Sequence, residues 1–298
     1  MKMISIIIPV KNDKKIERTI KILKSIPKPE KIEIVVVDAS GGNLDFIKKK
    51  FPTVKWVNFI NKTKKKYTFT EQINLGLKSA SGDLIAFIDA DCIPHKKWLI
   101  ELARPIRKEG EDYVTGLVKP LEENSIHEGV WKKIDKKIYR DETGSANSLF
   151  RKKIIKEVGY FDESFEAGSD VDFSWRVINK GYKIRYNPKA IIFDHWGNLR
   201  QEIKRAGKYS EARVKLYRKH PDRLNNLTKD NKDLFTLYAP LFFIYVILIP
   251  PMAFIWPYYL LGIVIPIIKN RKVNISRKFL FDFFYGLGIL KELAFPKQ

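Results

Sequence analysis

Leu84-Ile85-Ala86-Phe87-Ile88-Asp89-Ala90-Asp91 is an apolar run that ends in two carboxylates. It lacks the alternation of a half-exposed strand, so it reads as a strand buried on both faces. Charges at its tip are costly, because desolvating a carboxylate takes several kcal/mol unless a cation compensates. A hard divalent metal that also holds a diphosphate is the usual compensation. Working outward, Ile32-Glu33-Ile34-Val35-Val36-Val37-Asp38 is a second strand that ends in an aspartate. In an open parallel sheet, ligands bind at the carboxyl ends of the strands. The two strands put three carboxylates on one rim, which suits a nucleotide with a metal on its phosphates.

The neighbouring sequence supports this sheet. Residues 3–10 are nearly all apolar, as in a buried strand. Asp13 is placed to cap a helix through Ser25, with Ile16, Ile20 and Leu23 on one face. A helix starting near Asn43, a strand over 54–60, a lysine-rich loop over 61–68 and a helix over 70–80 follow. Ser81-Gly82 stops that helix just before the Asp-x-Asp strand. Strand and helix alternate with short links, which predicts βαβ units and a mostly parallel sheet. Beyond residue 110 the pattern loosens. Expected there are a strand over 113–118, a Lys-rich amphipathic helix over 125–139 and a small-residue strand, Gly144-Ser145-Ala146-Asn147-Ser148-Leu149-Phe150. A helix over 170–180, short strands over 182–186 and 190–193, and a basic helix over 198–219 complete the series.

Composition sets the limits. The 298 residues allow one large α/β domain with an appendage, and 45% hydrophobic and 13% aromatic content excludes global disorder. A formal net charge of +22 calls for an anionic partner: nucleic acid, an anionic membrane or phosphorylated substrates. The single cysteine, Cys92, rules out an intramolecular disulfide and points to a reducing compartment. The first residues run straight into a strand, so no secretory leader is expected.

Residues 234–268 contain no charge and are divided by Pro250-Pro251. Both flanks are basic, with Arg213, Lys215, Arg218 and Lys219 before and Lys269, Arg271 and Lys272 after. A helical hairpin keeps both flanks on the cytoplasmic side, whereas a single span does not. An interfacial amphipathic helix is expected over 276–292.

Three motifs then combine. Ile6-Ile7-Ile8-Pro9-Val10-Lys11-Asn12, Val35-Val36-Val37-Asp38-Ala39-Ser40 and Gly82–Asp91 resemble, in order and context, the nucleotide-binding half of the family-2, GT-A-fold glycosyltransferases. Val158-Gly159-Tyr160-Phe161-Asp162-Glu163 and Ser169-Asp170-Val171-Asp172-Phe173-Ser174-Trp175-Arg176 resemble that family's acceptor half. The resemblance spans about 3–197. It implies a catalytic domain over 1–197, with a nucleotide-binding half to about 110 and an acceptor half from about 111. A basic linker helix over 198–233 and a membrane-attachment region over 234–298 follow. The expected fold is α/β: a GT-A-type, mostly parallel sheet flanked by helices, then a C-terminal helical membrane-associated region.

By the same resemblance Pro9 and Val10 line the nucleotide pocket with backbone, and Asp38 holds the base or ribose. Asp89 contacts the ribose or a metal-bound water, and Asp91 ligates Mg2+ or Mn2+. Asp170 is the general base; the family's Glu-Asp pair is here Ser169-Asp170, which alters the acceptor contacts but keeps the carboxylate. An acid at a helix start also favours the macrodipole, and the two roles coexist. Asp172 is spaced to orient Arg176 one turn on, and with Trp196 they are acceptor-side candidates. Asn147 is a candidate contact to the donor sugar or acceptor. His195 reads either as a ligand to the metal or diphosphate, or as a structural histidine.

The expected function is metal-dependent, inverting transfer of a sugar from a nucleotide-diphosphate sugar to an acceptor hydroxyl. A lipid-linked saccharide or polyprenyl phosphate acceptor at the cytoplasmic face of the cell membrane, with anionic lipids as partners, fits the basic and apolar C-terminal region. One alternative is a basic nucleic-acid-binding protein; its charge would be spread over a recognition motif, and none is present, so no nucleic acid is expected. The other is a sugar nucleotidyltransferase, which would carry a glycine-rich N-terminal loop where Pro9-Val10-Lys11-Asn12 stands.

Overall fold

The structure is a computed structural model that describes residues 3–62, 67–121, 137–195, 197–227, 237, 239–241 and 275–296. The chain divides into two compact units: Met1–Leu121 with Ile134–His195, and Glu122–Lys133 with Trp196–Gln298.

The first unit is built on a nine-stranded sheet. The apolar runs become β1 (Met3–Val10), β2 (Lys31–Asp38) and β4 (Leu84–Phe87), joined by β3 (Lys55–Asn58). The crossovers are α1 (Ile16–Ser25), α2 (Asp45–Lys50) and α3 (Phe69–Ser79). Asp13 Oδ1 accepts the Lys15 N–H at 2.9 Å just before α1. Side chains alternate across the sheet and fill two cores. Ile4, Ile6, Ile8, Val36 and Ala86 pack on α1 and on α4 (Trp98–Lys108). Ile7, Val35, Val37, Ile85 and Phe87 pack on α3, α5 (Lys153–Val158) and α6 (Ser169–Asn179). Each fully buried Ile or Val stabilises the fold by about 1.5–3 kcal/mol, so β1, β2 and β4 form the buried platform of the sheet. Gly76 lets α3 lie close on this platform; a Cβ there would come 2.5 Å from Ile7 Cγ2.

The remaining strands are β5 (Ile93–Pro94), β6 (Tyr113–Pro120), β7 (Tyr139–Arg140), β8 (Ser148–Arg151) and β9 (Ile184–Asp194). The strand order is β3-β2-β1-β4-β8-β6-β9-β5, with β7 also on β9. The sheet is mixed, which corrects the expectation of a mostly parallel one. β3, β2, β1 and β4 are parallel, but β8 runs antiparallel to both β4 and β6. Apolar runs report burial, not direction, and β8 enters the sheet beside β4 from the opposite end. The two short strands expected over 182–193 are one strand, β9, whose pairing with β6 slips at Gly116/Leu117.

In the second unit the basic segment forms α7 (Leu199–Lys219), started by a capping box between Asn198 and Gln201. The expected interfacial helix is α8 (Ile275–Ala294). The two pack together: a Cβ on Gly288 would strike Ser210 and the Gly207 carbonyl, and Arg218 Nη1 lies 3.2 Å from Glu292 Oε1. Lys291 Nζ lies 2.9 Å from Glu211 Oε1. The expected hairpin over 234–268 falls almost wholly outside the described residues, as does most of the expected helix over 125–139. Among the described residues no helix is long and apolar enough to cross a membrane.

Candidate active site

The Asp-x-Asp segment is the turn that leaves β4, and α1 holds it from below. Thr19 Oγ1 lies 2.8 Å from the Ala90 carbonyl and 2.9 Å from that of Cys92. Arg18 Nη2 donates to the Asp91 carbonyl at 2.9 Å. Lys15 Nζ lies 3.8 Å from Asp91 Oδ2, a loose and half-exposed ion pair that adds little to stability. β5 then pairs with the end of β9, Ile93 opposite Phe193. That pairing draws the last residue of β9, Asp194, to the turn. Carboxylate oxygens of Asp91 and Asp194 and the Cys92 sulfur all lie within 4.8 Å of one another.

Asp89 sits behind this pair. Burial, then the carboxylates of Asp194, Asp91 and Asp170, push its carboxyl up to about 7. Asp89 thus feels the charge of three other acids. Burial also pushes the Cys92 thiol far up, and the same aspartates add to it, so the thiol stays protonated and is a poor ligand. The two carboxylates form a hard-oxygen donor set that fits Mg2+ or Mn2+. Asp91 and Asp194 are the residues that would hold such an ion.

Asp170 lies on the first turn of α6, which opens at Gly168 in the left-handed region, φ 81°. Burial holds its carboxyl above its ordinary value. The N–H groups of Val171, Asp170 and Ser145 pull it down without cancelling that, and Glu142 adds to the upward push. Ser169 Oγ lies 3.0 Å from Thr70 Oγ1, so the serine in place of the family's glutamate ties α6 to α3.

On the nucleotide side, Pro9 and Val10 are buried opposite Val37 and Asp38. The Val10 carbonyl accepts the Ala39 N–H at 2.9 Å. Asp38 Oδ1 accepts the Ser40 N–H at 2.8 Å, and Ser40 Oγ accepts the Asn12 N–H at 2.8 Å. Asn12 is left-handed, φ 58°, and its Oδ1 accepts from Asn43 Nδ2 at 2.9 Å. These bonds shape a polar pocket rim at the ends of β1 and β2.

Several expected roles change. Asn147 is fully buried and left-handed, φ 62°. Its Oδ1 accepts from Trp98 Nε1 at 2.8 Å, and its Nδ2 donates to the carbonyls of Leu117 and Ala190 at 2.9 and 3.0 Å. All its hydrogen-bonding groups brace β6, β9 and α4, which corrects its expected contact with a sugar. Asp172 is likewise fully buried, and its Oδ2 takes Arg176 Nε at 2.9 Å. Arg176 in turn donates to the carbonyls of Val158 and Tyr160. The pair has the expected spacing, and it clasps the 158–160 loop to α6. His195 is not part of the group that gathers around Asp91; its neighbour Asp194 takes that place. Trp196 lies outside the described residues.

Asp194 is the candidate site residue that the sequence did not bring forward. Its signal was present: an apolar strand, Ala190-Ile191-Ile192-Phe193, ending in an acid, the same pattern that marked Asp38 and Asp89.

The chain is similar to several known glycosyltransferases. The pre-mycofactocin glycosyltransferase of Mycobacterium tuberculosis is 30% identical over 164 residues, 50% of this chain; the chain spans only 35% of that protein's length. The dolichyl N-acetyl-alpha-D-glucosaminyl phosphate 3-beta-D-2,3-diacetamido-2,3-dideoxy-beta-D-glucuronosyltransferase of Methanococcus voltae is 28% identical over 252 residues, 74% of this chain and 75% of that one. In fold, the chain resembles the mannosyltransferase PcManGT from Pyrobaculum calidifontis, solved in complex with GDP-Man and Mn2+. The TM-score is 0.71 over 99% of this chain and 88% of that one, at 15% identity. Residues 5–159, more than half of the chain, match Glycosyl transferase family 2, and the chain belongs to that family.

Proposed function

We propose that the protein carries out metal-dependent, inverting transfer of a sugar from a nucleotide-diphosphate sugar to an acceptor hydroxyl. The observation that carries this reading is the convergence of Asp89, Asp91, Asp170 and Asp194 at the carboxyl ends of β4 and β9 and the start of α6. Asp91 and Asp194 would hold a divalent ion, which when bound would neutralise charge on the departing diphosphate. Asp38, with Ser40 and Asn12 around it, accepts hydrogen bonds from the nucleoside, and Pro9 and Val10 form the wall beside it. Asp89 supports the ribose side. Asp170 stands apart from the ligand pair on α6 and takes the proton from the acceptor hydroxyl at its carboxylate oxygen. A carboxyl raised by burial is a stronger base than an exposed aspartate, which suits that task. A single base and a single displacement give inversion at the anomeric carbon.

For the acceptor, the reading is a lipid-linked saccharide or polyprenyl phosphate, reached through membrane attachment by residues 234–298 at the cytoplasmic face. The uncharged 234–268 stretch, the basic residues around it and the exposed Phe284, Leu287 and Leu293 of α8 support this, and anionic lipids complement the net charge. The relative from Methanococcus voltae, whose name specifies a dolichyl-linked substrate, supports it as well.

The deciding experiment is a thermal-shift panel of nucleoside diphosphates and their sugars, with and without Mn2+ or Mg2+. A ligand at about 100 times its Kd stabilises a fold by roughly 2.7 kcal/mol. A shift that needs both nucleotide and metal is expected. Absence of any nucleotide shift, with salt-sensitive DNA binding in its place, would overturn the proposal.

A further inference from the structure

Asp170 is gripped by the loop that faces it, and Ser174 grips that loop. Ser174 is fully buried on α6. Its Oγ lies 2.8 Å from the Asp170 carbonyl one turn back and 3.3 Å from the Thr143 carbonyl. The same oxygen accepts the Thr143 N–H at 3.2 Å. A serine bonded only to the carbonyl four residues back is common in helices. A serine that also accepts an N–H from another segment fastens two pieces of chain together. The far side of the loop is fastened too: Thr143 Oγ1 is 2.7 Å from Thr115 Oγ1 on β6, and Ser148 Oγ donates to the Ser145 carbonyl at 2.7 Å. Between these fixings Gly144 passes so close to the carboxylate that a Cβ would sit 3.6 Å from Asp170 Oδ2, and the N–H of the next residue, Ser145, favours the charged form of that carboxyl.

We propose that Ser174 is the positioning residue for Asp170: it pins Thr143–Ser145 to the first turn of α6, so that the Ser145 N–H fixes the direction of the carboxylate. The catalytic meaning of this rests on the reading of Asp170 as the base. Three elements bring titratable groups toward Asp170: Glu142 from the loop, Asp89 from the end of β4 and Tyr113 from β6. Glu142 and Asp89 oppose its negative charge, and the Ser145 N–H supports it. Releasing the loop removes that support.

The test needs no substrate. Metal-free protein carrying 13C at the aspartate carboxyls is titrated by NMR, with the Asp170 resonance assigned by its loss in D170N. Wild type, S174A, S174T and T115V are compared, and thermal melting is followed on the same samples. S174A is expected to raise the proton affinity of Asp170 about three- to tenfold. T115V, which frees the loop from the sheet side, is expected to move it the same way by less, and S174T to restore it. A lower melting temperature with an unmoved Asp170 titration in both S174A and T115V would overturn the proposal. T115V decides alone if S174A does not fold. Turnover of the donor picked out by the nucleotide panel, measured for D170N, separates the two readings. An inactive D170N with an unmoved titration in the loop variants defeats the pinning and keeps the base. An active D170N defeats the base, and with it the catalytic role given to Ser174.

Discussion

Carboxylate oxygens of Asp91 and Asp194 lie within 4.8 Å of each other, although one residue follows β4 and the other ends β9. Two carboxylates this close repel unless a cation joins them, at an energy of order 1–4 kcal/mol for an effective dielectric between water and a protein surface. If a divalent cation joins them, as proposed, His195 beside Asp194 offers a control. D194N should abolish the metal-dependent part of stabilisation by nucleoside diphosphates, while H195A keeps it. The reverse pattern in a thermal-shift series would return the ligand role to His195.

Asp170 gives a second test. D170N should leave the nucleotide-dependent thermal shift nearly unchanged and lower turnover by about 10²- to 10⁴-fold. A base works when deprotonated, and burial holds the Asp170 carboxyl above its ordinary value. The wild-type rate should therefore fall as pH drops through a point above the ordinary aspartate value. An acidic limb at the ordinary aspartate value, or unchanged turnover in D170N, would place the base elsewhere.

Crowded acids also cost stability. The Asp89 carboxyl is pushed from 3.8 to about 7, so the folded state holds that proton more tightly than the unfolded chain does. The stability it contributes is complete below the unfolded pKa and is lost as pH rises through about 7. Above that, the metal-free protein bears the cost of a charged Asp89. D89N should raise the melting temperature of metal-free protein at alkaline pH, by the equivalent of about 1–3 kcal/mol after allowing for solvent screening. The gain should vanish in acid, where wild-type Asp89 is already neutral. Denaturation curves at two pH values decide it, and a D89N no more stable than wild type at alkaline pH would show that the four acids do not repel as the geometry implies.

Local pattern explains which parts of the fold were legible in the sequence. The acid-tipped apolar runs at Asp38 and Asp89 are readable because a buried strand and a charge at its end are adjacent in the chain. The spacing of Asp172 and Arg176 is readable for the same reason. The direction of β8 is not, because strand polarity depends on partners far away. Asn147 misleads because its φ of 62° and its bonds to Trp98, Leu117 and Ala190 arise only when three distant segments close around it. Asp194 carried the local signature, but its nearness to Asp91 is made by the β5–β9 pairing, which two residues, Ile93 and Pro94, provide. No periodicity can announce so short a strand.

At the opposite end of the sheet, Glu33 joins three strands. Its carboxylate accepts from the Ser5 hydroxyl, from the Ser81 N–H and hydroxyl at 2.6 and 2.9 Å, and from the Gly82 N–H at 3.2 Å. Burial raises its carboxyl, but the bonds from Ser5, Ser81 and Gly82 outweigh this and leave it below its ordinary value. With a lowered folded pKa, its contribution is present above the unfolded value near 4.5 and is lost as pH falls through the lower, folded one. E33Q keeps an acceptor oxygen but turns an amide N–H₂ toward donors, and should cost about 1–3 kcal/mol at neutral pH, converging on wild type in acid. Equal stability at neutral pH would mean that the clamp is not an energetic one.

Attachment to a membrane is the remaining test, and it depends on the second unit. α8 exposes Phe284, Leu287 and Leu293, and Phe295 lies just beyond it. α7 carries Arg200, Lys204, Arg205, Lys208, Arg213, Lys215, Arg218 and Lys219 against Glu202 and Glu211. Apolar side chains that enter the headgroup region contribute by buried area, and each nearby Lys or Arg adds about 1 kcal/mol on an anionic surface. If these helices lie on the surface while 234–268 inserts, the full chain should sediment with membranes, survive a high-salt wash and leave only with detergent. Release by salt alone would reduce the attachment to electrostatics and remove the inserted hairpin. A chain that stays in the supernatant at low salt, with vesicles rich in anionic lipid present, would remove the membrane altogether and leave a soluble saccharide as the acceptor class to pursue.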